Sequence, residues 1–229
     1  MCHTPSTSRA EGVCQAKSPG RNFGLIDATQ CAKLPGVLPD VAPRPRMTRA
    51  DYLEWEPRQS TKHELYRGEV FAMAGGSPRH NLLAAAMMGE LRAALTSNPC
   101  HVLSSDQRIA ARDGEHYVYS DAVVVCGNVR TEAGTRDVLS NPGVVVEVLS
   151  PSTESYDRGD KWQAYRQLAS LSDYLLVSQA IPRIEHFQRE ADGSWHYRVF
   201  GAGERVVLSN GASIAVDGVY RGAFEIAAD

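Results

Sequence analysis

Residues 143–150, Gly-Val-Val-Val-Glu-Val-Leu-Ser, constrain the fold of this chain more than any other segment. Their near-continuous apolar run is typical of a β-strand that is covered on both faces of a sheet. Glu147 interrupts this run, and an isolated ionised carboxylate is very costly to bury in an apolar environment. We therefore expect the Glu147 side chain to be paired, neutralised or bound to a metal ion.

Residues 117–125, Tyr-Val-Tyr-Ser-Asp-Ala-Val-Val-Val, form a second apolar segment with an acid inside it, Asp121. Two carboxylates on neighbouring buried strands repel each other, and a hard divalent cation removes that repulsion. Mg²⁺ accepts one or two protein carboxylates together with carbonyl and water oxygens. The two segments therefore predict a Mg²⁺ site formed by Asp121, Glu147 and the backbone carbonyl of Val148, and Mn²⁺ would accept the same ligands.

Residues 156–169 predict a helix that follows the Glu147 strand. On this helix Lys161 and Tyr165 share a face, because residues four apart lie one turn apart. An ammonium group beside a metal-bound phosphate would stabilise the charge that develops in the transition state of phosphodiester hydrolysis. The same spacing leaves another interpretation open, in which Lys161 is a solvated residue paired with Asp157.

The other periodic segments predict further helices and strands around these two. Thr48 is expected to cap a short helix, and residues 62–73 predict a β-hairpin with Arg67-Gly68 at its turn. A stripe with four-residue spacing predicts a helix of about 18 residues after Pro78, with His80 in its first turn. The stripe consists of Leu83, Met87, Leu91 and Leu95. Further strands are predicted at 101–112, 116–126, 173–178, 184–188, 195–200, 205–208 and 213–216.

This order of elements predicts an α/β domain with a mixed sheet and an antiparallel C-terminal extension. Residues 1–46 are rich in Pro, Ser, Thr and Gly and lack periodicity, so we expect a disordered extension there. The folded domain is expected at 47–229, and Met47 is a candidate for the natural start of the chain. No apolar run approaches 18 residues, which argues against a membrane-spanning helix, and no secretory signal is recognisable.

The five cysteines are scattered and include no Cys-x-x-Cys pair. This pattern argues against a disulfide framework and favours reduced thiols in a cytoplasmic protein. Cys126, at the end of a valine run, is expected to be a small buried hydrophobic residue. No Gly-x-Ser-x-Gly segment surrounds Ser150 or Ser152, which excludes the nucleophile elbow of serine hydrolases.

The charge of the chain does not indicate strong nucleic-acid binding. Residues 47–229 carry 18 Lys or Arg against 24 Asp or Glu, a net charge of -6. Tight electrostatic binding of DNA is typical of basic domains, so this balance counts mildly against a nuclease. A bound metal ion would, however, neutralise acids that are clustered at a site.

Four segments together resemble the Uma-two family of restriction-endonuclease-like proteins in the PD-(D/E)xK superfamily, over residues 47–225. The segments are Tyr-Ser-Asp-Ala-Val-Val-Val, Val-Val-Glu-Val-Leu-Ser-Pro-Ser-Thr, Asp-Arg-Gly-Asp-Lys and Asp-Tyr-Leu-Leu-Val. The resemblance implies a helix-strand-strand-strand-helix-strand core over 78–178. It places the acidic pair on Asp121 and Glu147, and it adds Glu64 and His80 to the site.

The chain departs from the family and superfamily patterns at three places. Residues Ala169-Ser-Leu-Ser172 replace the glycine that is usual before the next strand, which is a structural difference. The lysine expected two residues after the acid is Leu149 here, so the positive charge must come from Lys161 on the following helix. Ser120 stands where the family commonly has proline. The resemblance implies that a helix lysine is usual in this family.

These observations predict a Mg²⁺-dependent endonuclease, with DNA as the favoured nucleic-acid substrate. By analogy with restriction-like folds that pair to cut both strands, a homodimer is expected. Fold does not determine function, so a non-catalytic binding or scaffold module that keeps the nuclease fold is the main alternative. A third possibility is a metal-dependent phosphoesterase with a small substrate.

Overall fold

The computed structural model describes residues 45–226, except for the side chain of Asp113. Residues 1–44 of the disordered extension expected at residues 1–46 therefore lie outside the described residues. Of its last two residues, Arg46 forms a β-bridge with Glu69. No helix in the described part of the chain is long and apolar enough to cross a lipid bilayer.

The first half of the domain contains two helices and seven strands. The helices are α1 (Arg49–Trp55) and α2 (Pro78–Ala94), and short 3₁₀ turns occupy Glu56–Arg58 and Arg112–Gly114. The strands are β1 (His63–Tyr66), β2 (Glu69–Ala72), β3 (Cys100–Ser104), β4 (Arg108–Ala111), β5 (His116–Tyr119), β6 (Ala122–Cys126) and β7 (Val138–Leu139).

The second half begins with the valine-rich strand β8 (Val144–Val148) and the helix α3. Helix α3 consists of Glu154–Tyr156, a π-helical turn Asp157–Lys161 and Trp162–Tyr165. The remaining elements are β9 (Asp173–Val177), β10 (Arg183–Arg189), β11 (Trp195–Gly201), β12 (Arg205–Val207), β13 (Ser213–Ala215), α4 (Val216–Val219) and a 3₁₀ turn at Ala223–Glu225.

The strands form two main sheets, and both are mixed. The six-stranded sheet has the order β11-β10-β9-β8-β6-β3, in which only the β8–β9 pair is parallel. The five-stranded sheet has the order β2-β1-β5-β4-β7, in which only the β4–β7 pair is parallel. Strands β12 and β13 form a separate antiparallel pair. The predicted mixed α/β architecture is therefore confirmed.

Strand β8 and helix α2 form much of the core, as their patterns predict. All five residues of β8 are buried, including Glu147. The α2 stripe is also buried, because Leu83, Met87 and Leu91 are inaccessible to solvent and pack into one apolar cluster with Val146. Burying each such side chain stabilises the fold by roughly 1.5–3 kcal/mol. Ser77 caps the helix by accepting a hydrogen bond from the backbone N–H of His80 at 3.2 Å.

Two of the predicted strands are wrong in their extent. The predicted strand 101–112 is two strands, β3 and β4, and the predicted strand 116–126 is also two, β5 and β6. In each case the two halves belong to different sheets. Ser120 and Asp121 form the link between the sheets after β5, so Asp121 lies outside a strand. Both links consist of polar residues, Ser105-Asp106-Gln107 and Ser120-Asp121. Polar residues also occur within strands, so this short interruption does not reveal that the chain changes sheets there.

Helix α3 also differs from the prediction of a regular helix at 156–169. It begins at Glu154, ends at Tyr165 and contains the π-helical turn Asp157–Lys161. Such turns are rare and occur frequently at functional sites. Asp157 and Lys161 at the ends of this turn are both buried, which excludes the interpretation of Lys161 as a solvated residue.

The cysteine prediction is wrong for two of the five residues. Cys100 and Cys126 form a disulfide between the neighbouring antiparallel strands β3 and β6, where they lie directly opposite each other. Cys126 is exposed rather than buried in the core. The two cysteines are brought together by strand register. Because they are 26 residues apart in the sequence, their spacing alone does not predict the disulfide.

Candidate active site

Glu147 lies at the centre of a buried polar cluster. Its Oε1 atom accepts a hydrogen bond from the Tyr165 hydroxyl at 3.1 Å and lies 3.0 Å from Nζ of Lys161. The Glu147 side chain is 5% exposed. Strand β8 supplies the carboxylate and helix α3 supplies both donors, so the buried acid is partnered within the protein.

Lys161 is surrounded by carboxylates. Its Nζ atom lies 3.3 Å from Oε1 of Glu64 and 3.6 Å from Oδ1 of Asp157, in addition to its contact with Glu147. It also donates a hydrogen bond to the backbone carbonyl of Tyr119 at 2.8 Å. A buried ammonium group is tolerated when it is paired and hydrogen-bonded in this way.

Glu64 lies on β1 and connects the five-stranded sheet to the cluster. Its Oε1 atom accepts a hydrogen bond from the backbone N–H of Tyr119 at 3.0 Å, at the end of β5. The same oxygen faces Lys161, and the residue is 5% exposed. The structure therefore brings Glu64 into the group of predicted site residues, and its contacts hold both Lys161 and the end of β5.

Asp121 lies beside Glu147 because it extends the antiparallel pairing of β6 with β8. Its backbone N–H donates to the carbonyl of Val146 at 3.0 Å, and its Oδ2 atom accepts from the N–H of Val148 at 2.7 Å. Asp121 therefore contacts the residues on either side of Glu147. His80, in the first turn of α2, approaches the same Oδ2 atom with its Nε2 at 3.4 Å.

The cluster contains more negative than positive charge. Glu64, Asp121, Glu147 and Asp157 provide four carboxylates, against the single ammonium group of Lys161. Burial raises the pKa of Glu147 well above its ordinary value, and the neighbouring carboxylates add to this while Lys161 opposes it. Burial also raises the pKa of Asp157.

The pKa of Lys161 shows the same imbalance. Burial alone would lower it, but the carboxylates of Glu147, Glu64 and Asp157 outweigh burial and raise it well above its ordinary value. Lys161 is therefore positively charged over the whole physiological range. The pKa values of Glu147 and Asp157 are raised even beside this cation, so the cluster favours additional positive charge, either protons or a metal ion.

The donor set fits a hard divalent cation. The contacts of Asp121 are all on Oδ2 and those of Glu147 are all on Oε1, so Oδ1 and Oε2 accept no hydrogen bond from the described residues. Two carboxylates with waters satisfy Mg²⁺. Within residues 45–226, no three His, Cys, Asp or Glu side chains are arranged to hold a metal ion together. The protein therefore offers a partial set of ligands.

Solvent reaches the cluster at Asp121 and His80, whose side chains are each 16% exposed. The other charged members are nearly inaccessible. Two surface cavities, of about 580 and 470 Å³, are lined by residues outside the cluster, namely around residues 92–103 and around the turns at Gly68 and Gly114. A substrate would therefore approach the acids from the side of Asp121 and His80.

Sequence reasoning missed Tyr165 as a member of the site. Its four-residue spacing from Lys161 placed it on the correct helix face, but the contact with Glu147 depends on how α3 packs against β8. The sequence indicates Asp157 only as a surface partner of Lys161, whereas its side chain is 3% exposed. The predicted roles of Asp121, Glu147 and Lys161 in chemistry remain predictions.

The mixed α/β architecture matches a restriction-endonuclease-like fold. The sequence model of the Uma2 family, described as "Putative restriction endonuclease", matches residues 49–217. The chain therefore belongs to the Uma2 family, which confirms the resemblance seen in its motifs.

Two proteins from Synechocystis sp. are similar in sequence over most of their length. The chain is 38% identical to "Uncharacterized protein slr1290" over 182 residues, which cover 79% of this chain and 95% of that protein. It is 31% identical to "Uncharacterized protein sll1609" over 149 residues, covering 65% of this chain and 84% of that protein.

A solved structure is similar in fold. It is the crystal structure of "a putative nuclease belonging to DUF820" from Anabaena variabilis, with a TM-score of 0.64 and 13% sequence identity. The similarity covers 77% of this chain and 99% of that one. At this level of identity the likeness shows a shared fold.

Proposed function

We propose that this protein is a Mg²⁺-dependent endonuclease that hydrolyses phosphodiester bonds in DNA. The observation that carries the proposal is the position of Asp121 and Glu147 beside Lys161, with one oxygen of each acid accepting no hydrogen bond from residues 45–226. Asp121, Glu147 and the carbonyl of Val148 would hold Mg²⁺, and Mn²⁺ would replace it. When bound, the ion would polarise the phosphate and activate a water molecule.

The other residues of the cluster support this pair. Lys161 holds the Glu147 carboxylate and places a positive charge next to the position of the reacting phosphate, where it stabilises the transition state. Glu64 orients Lys161 through its contact at 3.3 Å, and His80 orients Asp121 through its contact at 3.4 Å. Removing either orienting residue is expected to weaken metal binding or activity about 10–100-fold.

The nucleic-acid substrate follows from the family, and DNA is the more specific proposal. Since restriction-like folds often pair to cut both strands, we propose a homodimer as the active form. We propose a cytoplasmic location, where such a substrate is available. The Cys100–Cys126 disulfide argues against this location, because disulfides are rare in cytosolic proteins. A Mg²⁺-bound cluster would reduce the unfavourable net charge of -6 on residues 47–229 near the DNA backbone.

The decisive experiment is a cleavage panel with plasmid, oligonucleotide and RNA substrates in Mg²⁺ or Mn²⁺. Asp121→Asn and Glu147→Gln should each reduce cleavage by more than about 100-fold without unfolding the protein. Matched controls are Asp106→Asn, a mainly exposed acid, and Glu190→Gln on the surface. If the site variants cleave as well as the wild type, the catalytic assignment is wrong.

The second candidate is a binding or scaffold module without catalysis. The acidic net charge and the small exposure of the cluster favour it over a third possibility, a phosphoesterase with a small substrate. Calorimetric titration with Mg²⁺ and Mn²⁺ separates the first two. Binding that disappears in Asp121→Asn and Glu147→Gln supports the nuclease, whereas binding that is absent or insensitive to both variants supports the module.

A further inference from the structure

We propose that Tyr165 is a positioning residue for Glu147: its hydroxyl fixes one carboxylate oxygen so that the other is presented to the metal ion. This inference rests on the proposed function, because it assumes that Glu147 is a metal ligand. It assigns a task to a tyrosine whose position on the helix alone gives no role.

The contacts at Glu147 all involve one oxygen atom. The Tyr165 hydroxyl donates to Oε1 at 3.1 Å, and Nζ of Lys161 lies 3.0 Å from the same atom. Rotation about the last side-chain bond of Glu147 determines where its two carboxylate oxygens lie. Two donors on Oε1 set that rotation and leave Oε2 without a hydrogen bond from the described residues.

The position of the Tyr165 hydroxyl is itself fixed by packing. The residue is fully buried, and its ring centroid lies 5.6 Å from that of Tyr174, which stacks on Trp162 at 5.2 Å. A tyrosine has only two side-chain torsions, and close packing holds both in one conformation. The donor therefore cannot follow Glu147 if the carboxylate rotates, which makes it a constraint rather than a passive partner.

Asp121 shows the same arrangement with different donors. Its Oδ2 atom receives the Val148 N–H at 2.7 Å and the His80 contact at 3.4 Å, while Oδ1 accepts no hydrogen bond from the described residues. Each acid of the pair is therefore held through one oxygen. The same arrangement at both acids supports the inference that hydrogen-bond donors of the protein orient the two carboxylate ligands. Residues that hydrogen-bond to metal ligands have this effect in other metal sites.

The test compares two tyrosines that differ in what their hydroxyls bind. Tyr165→Phe removes the donor to the carboxylate and keeps the ring. Tyr174→Phe is the matched control, since Tyr174 is equally buried and its hydroxyl donates to the backbone carbonyl of Asp157 at 3.0 Å. Mn²⁺ binding to the full chain is measured by calorimetry, and the Mg²⁺ concentration that gives half-maximal cleavage is measured beside it.

We expect Tyr165→Phe to weaken Mn²⁺ binding about 10–100-fold, with cleavage restored by excess Mg²⁺. Tyr174→Phe should stay within about threefold of the wild type on the same scale. Equal affinity in Tyr165→Phe and wild type would overturn the inference, and so would equal losses in the two variants. Absence of any Mn²⁺ binding in the wild type would instead overturn the proposed function, and the inference with it.

A double variant covers the case in which Tyr165→Phe does not fold. In Tyr165→Phe the buried Glu147 carboxylate loses the hydrogen bond from the Tyr165 hydroxyl. Replacing that carboxylate by the neutral amide in Glu147→Gln removes the buried charge. The combined variant Glu147→Gln, Tyr165→Phe should then recover a cooperative thermal unfolding transition. Failure of the amide to restore folding would show that Tyr165 acts only through packing, and the inference would be wrong.

Discussion

Nζ of Lys161 lies 3.0 Å from Oε1 of Glu147, and both side chains are only 5% exposed. This pair joins helix α3 to the central strand β8 inside the core. Two more carboxylates, those of Glu64 and Asp157, approach the same ammonium group. Lys161 is therefore an internal counter-ion for three acids, and its loss would affect stability as well as any chemistry.

We expect Lys161→Met to lower the free energy of unfolding by about 3–5 kcal/mol at neutral pH without metal, because buried carboxylates lose their cation. The pKa values of Glu147 and Asp157 are already raised in the folded state. Protonation of these two acids relieves the repulsion between the buried carboxylates. The loss of unfolding free energy in Lys161→Met should therefore be smallest near pH 5 and grow as the pH rises. Urea unfolding at pH 5 and pH 8 measures both effects.

Lys62→Met is the control for that substitution. Lys62 is 37% exposed and pairs with the exposed Asp106, so its replacement should change stability by no more than about 1 kcal/mol. Mg²⁺ should also raise the melting temperature of Lys161→Met more than that of the wild type, since the ion replaces the missing charge. A Lys161→Met protein as stable as wild type at pH 8 would contradict the role of internal counter-ion.

Gly76 is expected to be required for the position of His80. A Cβ atom at Gly76 would lie 2.5 Å from Nδ1 and 2.8 Å from Cγ of His80, whereas a Cβ at Gly75 would meet nothing within 4 Å. Gly76→Ala should therefore displace the imidazole from Asp121 and lower the cleavage rate about 10–100-fold. Gly75→Ala is the matched control and should remain within about twofold of the wild type on that scale.

The readout for Gly76→Ala combines cleavage kinetics with the NMR signals of the His80 ring. Altered ring signals with reduced cleavage are the expected result. Unchanged signals with unchanged cleavage would show that the ring accommodates the methyl group without loss. Altered signals with full activity would remove His80 from the proposed site.

His116 is expected to make the protein less stable in acid. It is 1% exposed, and neither ring nitrogen has a hydrogen-bond partner among the described residues. Burial lowers the pKa of His116 to about 4, and the Arg112 and Arg67 guanidinium groups add to this effect. Between pH 6.5 and 4 the unfolded chain binds a proton that the folded protein does not, so stability falls as the pH falls.

His116→Phe should remove this dependence and keep the ring stacked on Tyr66, whose centroid lies 4.4 Å away. Urea unfolding should show the variant gaining about 2–3 kcal/mol relative to wild type between pH 7 and pH 4.5. The exposed His101 provides the control, and His101→Phe should show no such gain. A constant difference between His116→Phe and wild type across this range would contradict the prediction.

The disulfide between Cys100 and Cys126 is expected to contribute to stability. It closes a loop with a sequence separation of 26 residues, for which loop entropy gives a stabilisation of about 2–4 kcal/mol. Urea unfolding with and without dithiothreitol measures this difference. The double variant Cys100→Ser, Cys126→Ser should match the reduced protein and be insensitive to the reagent; a wild type equally stable in both conditions would contradict the prediction.

Much of the local structure could be predicted from the sequence. The valine run around Glu147 predicted a fully buried strand, the leucine and methionine stripe after Pro78 predicted helix α2, and Arg67-Gly68 predicted a hairpin turn. In each case the signal is the pattern of neighbouring side chains. That pattern reflects burial and backbone preference, which are local properties of the chain.

The candidate site was only partly predictable. The sequence pointed to Asp121, Glu147, Lys161, Glu64 and His80, and the structure brings these residues together. It did not show that Tyr165 shares the Glu147 oxygen with Lys161. The apolar pattern of residues 116–126 also predicts Asp121 within a strand, whereas Asp121 lies on the link between the two sheets.

The residue pattern is sufficient to show which segments are buried and which of them carry a charge that needs a partner. The identity of the partners depends on the assembled fold, because Lys161 meets Glu64, Glu147 and the carbonyl of Tyr119 through strand register and helix packing. The same holds for the disulfide, which depends on the register of β3 and β6. The alternation of side chains along a strand shows which face of the sheet each residue occupies, but it does not show which residue of another strand lies opposite. Residues that are distant in the chain are therefore matched only when the sheets form.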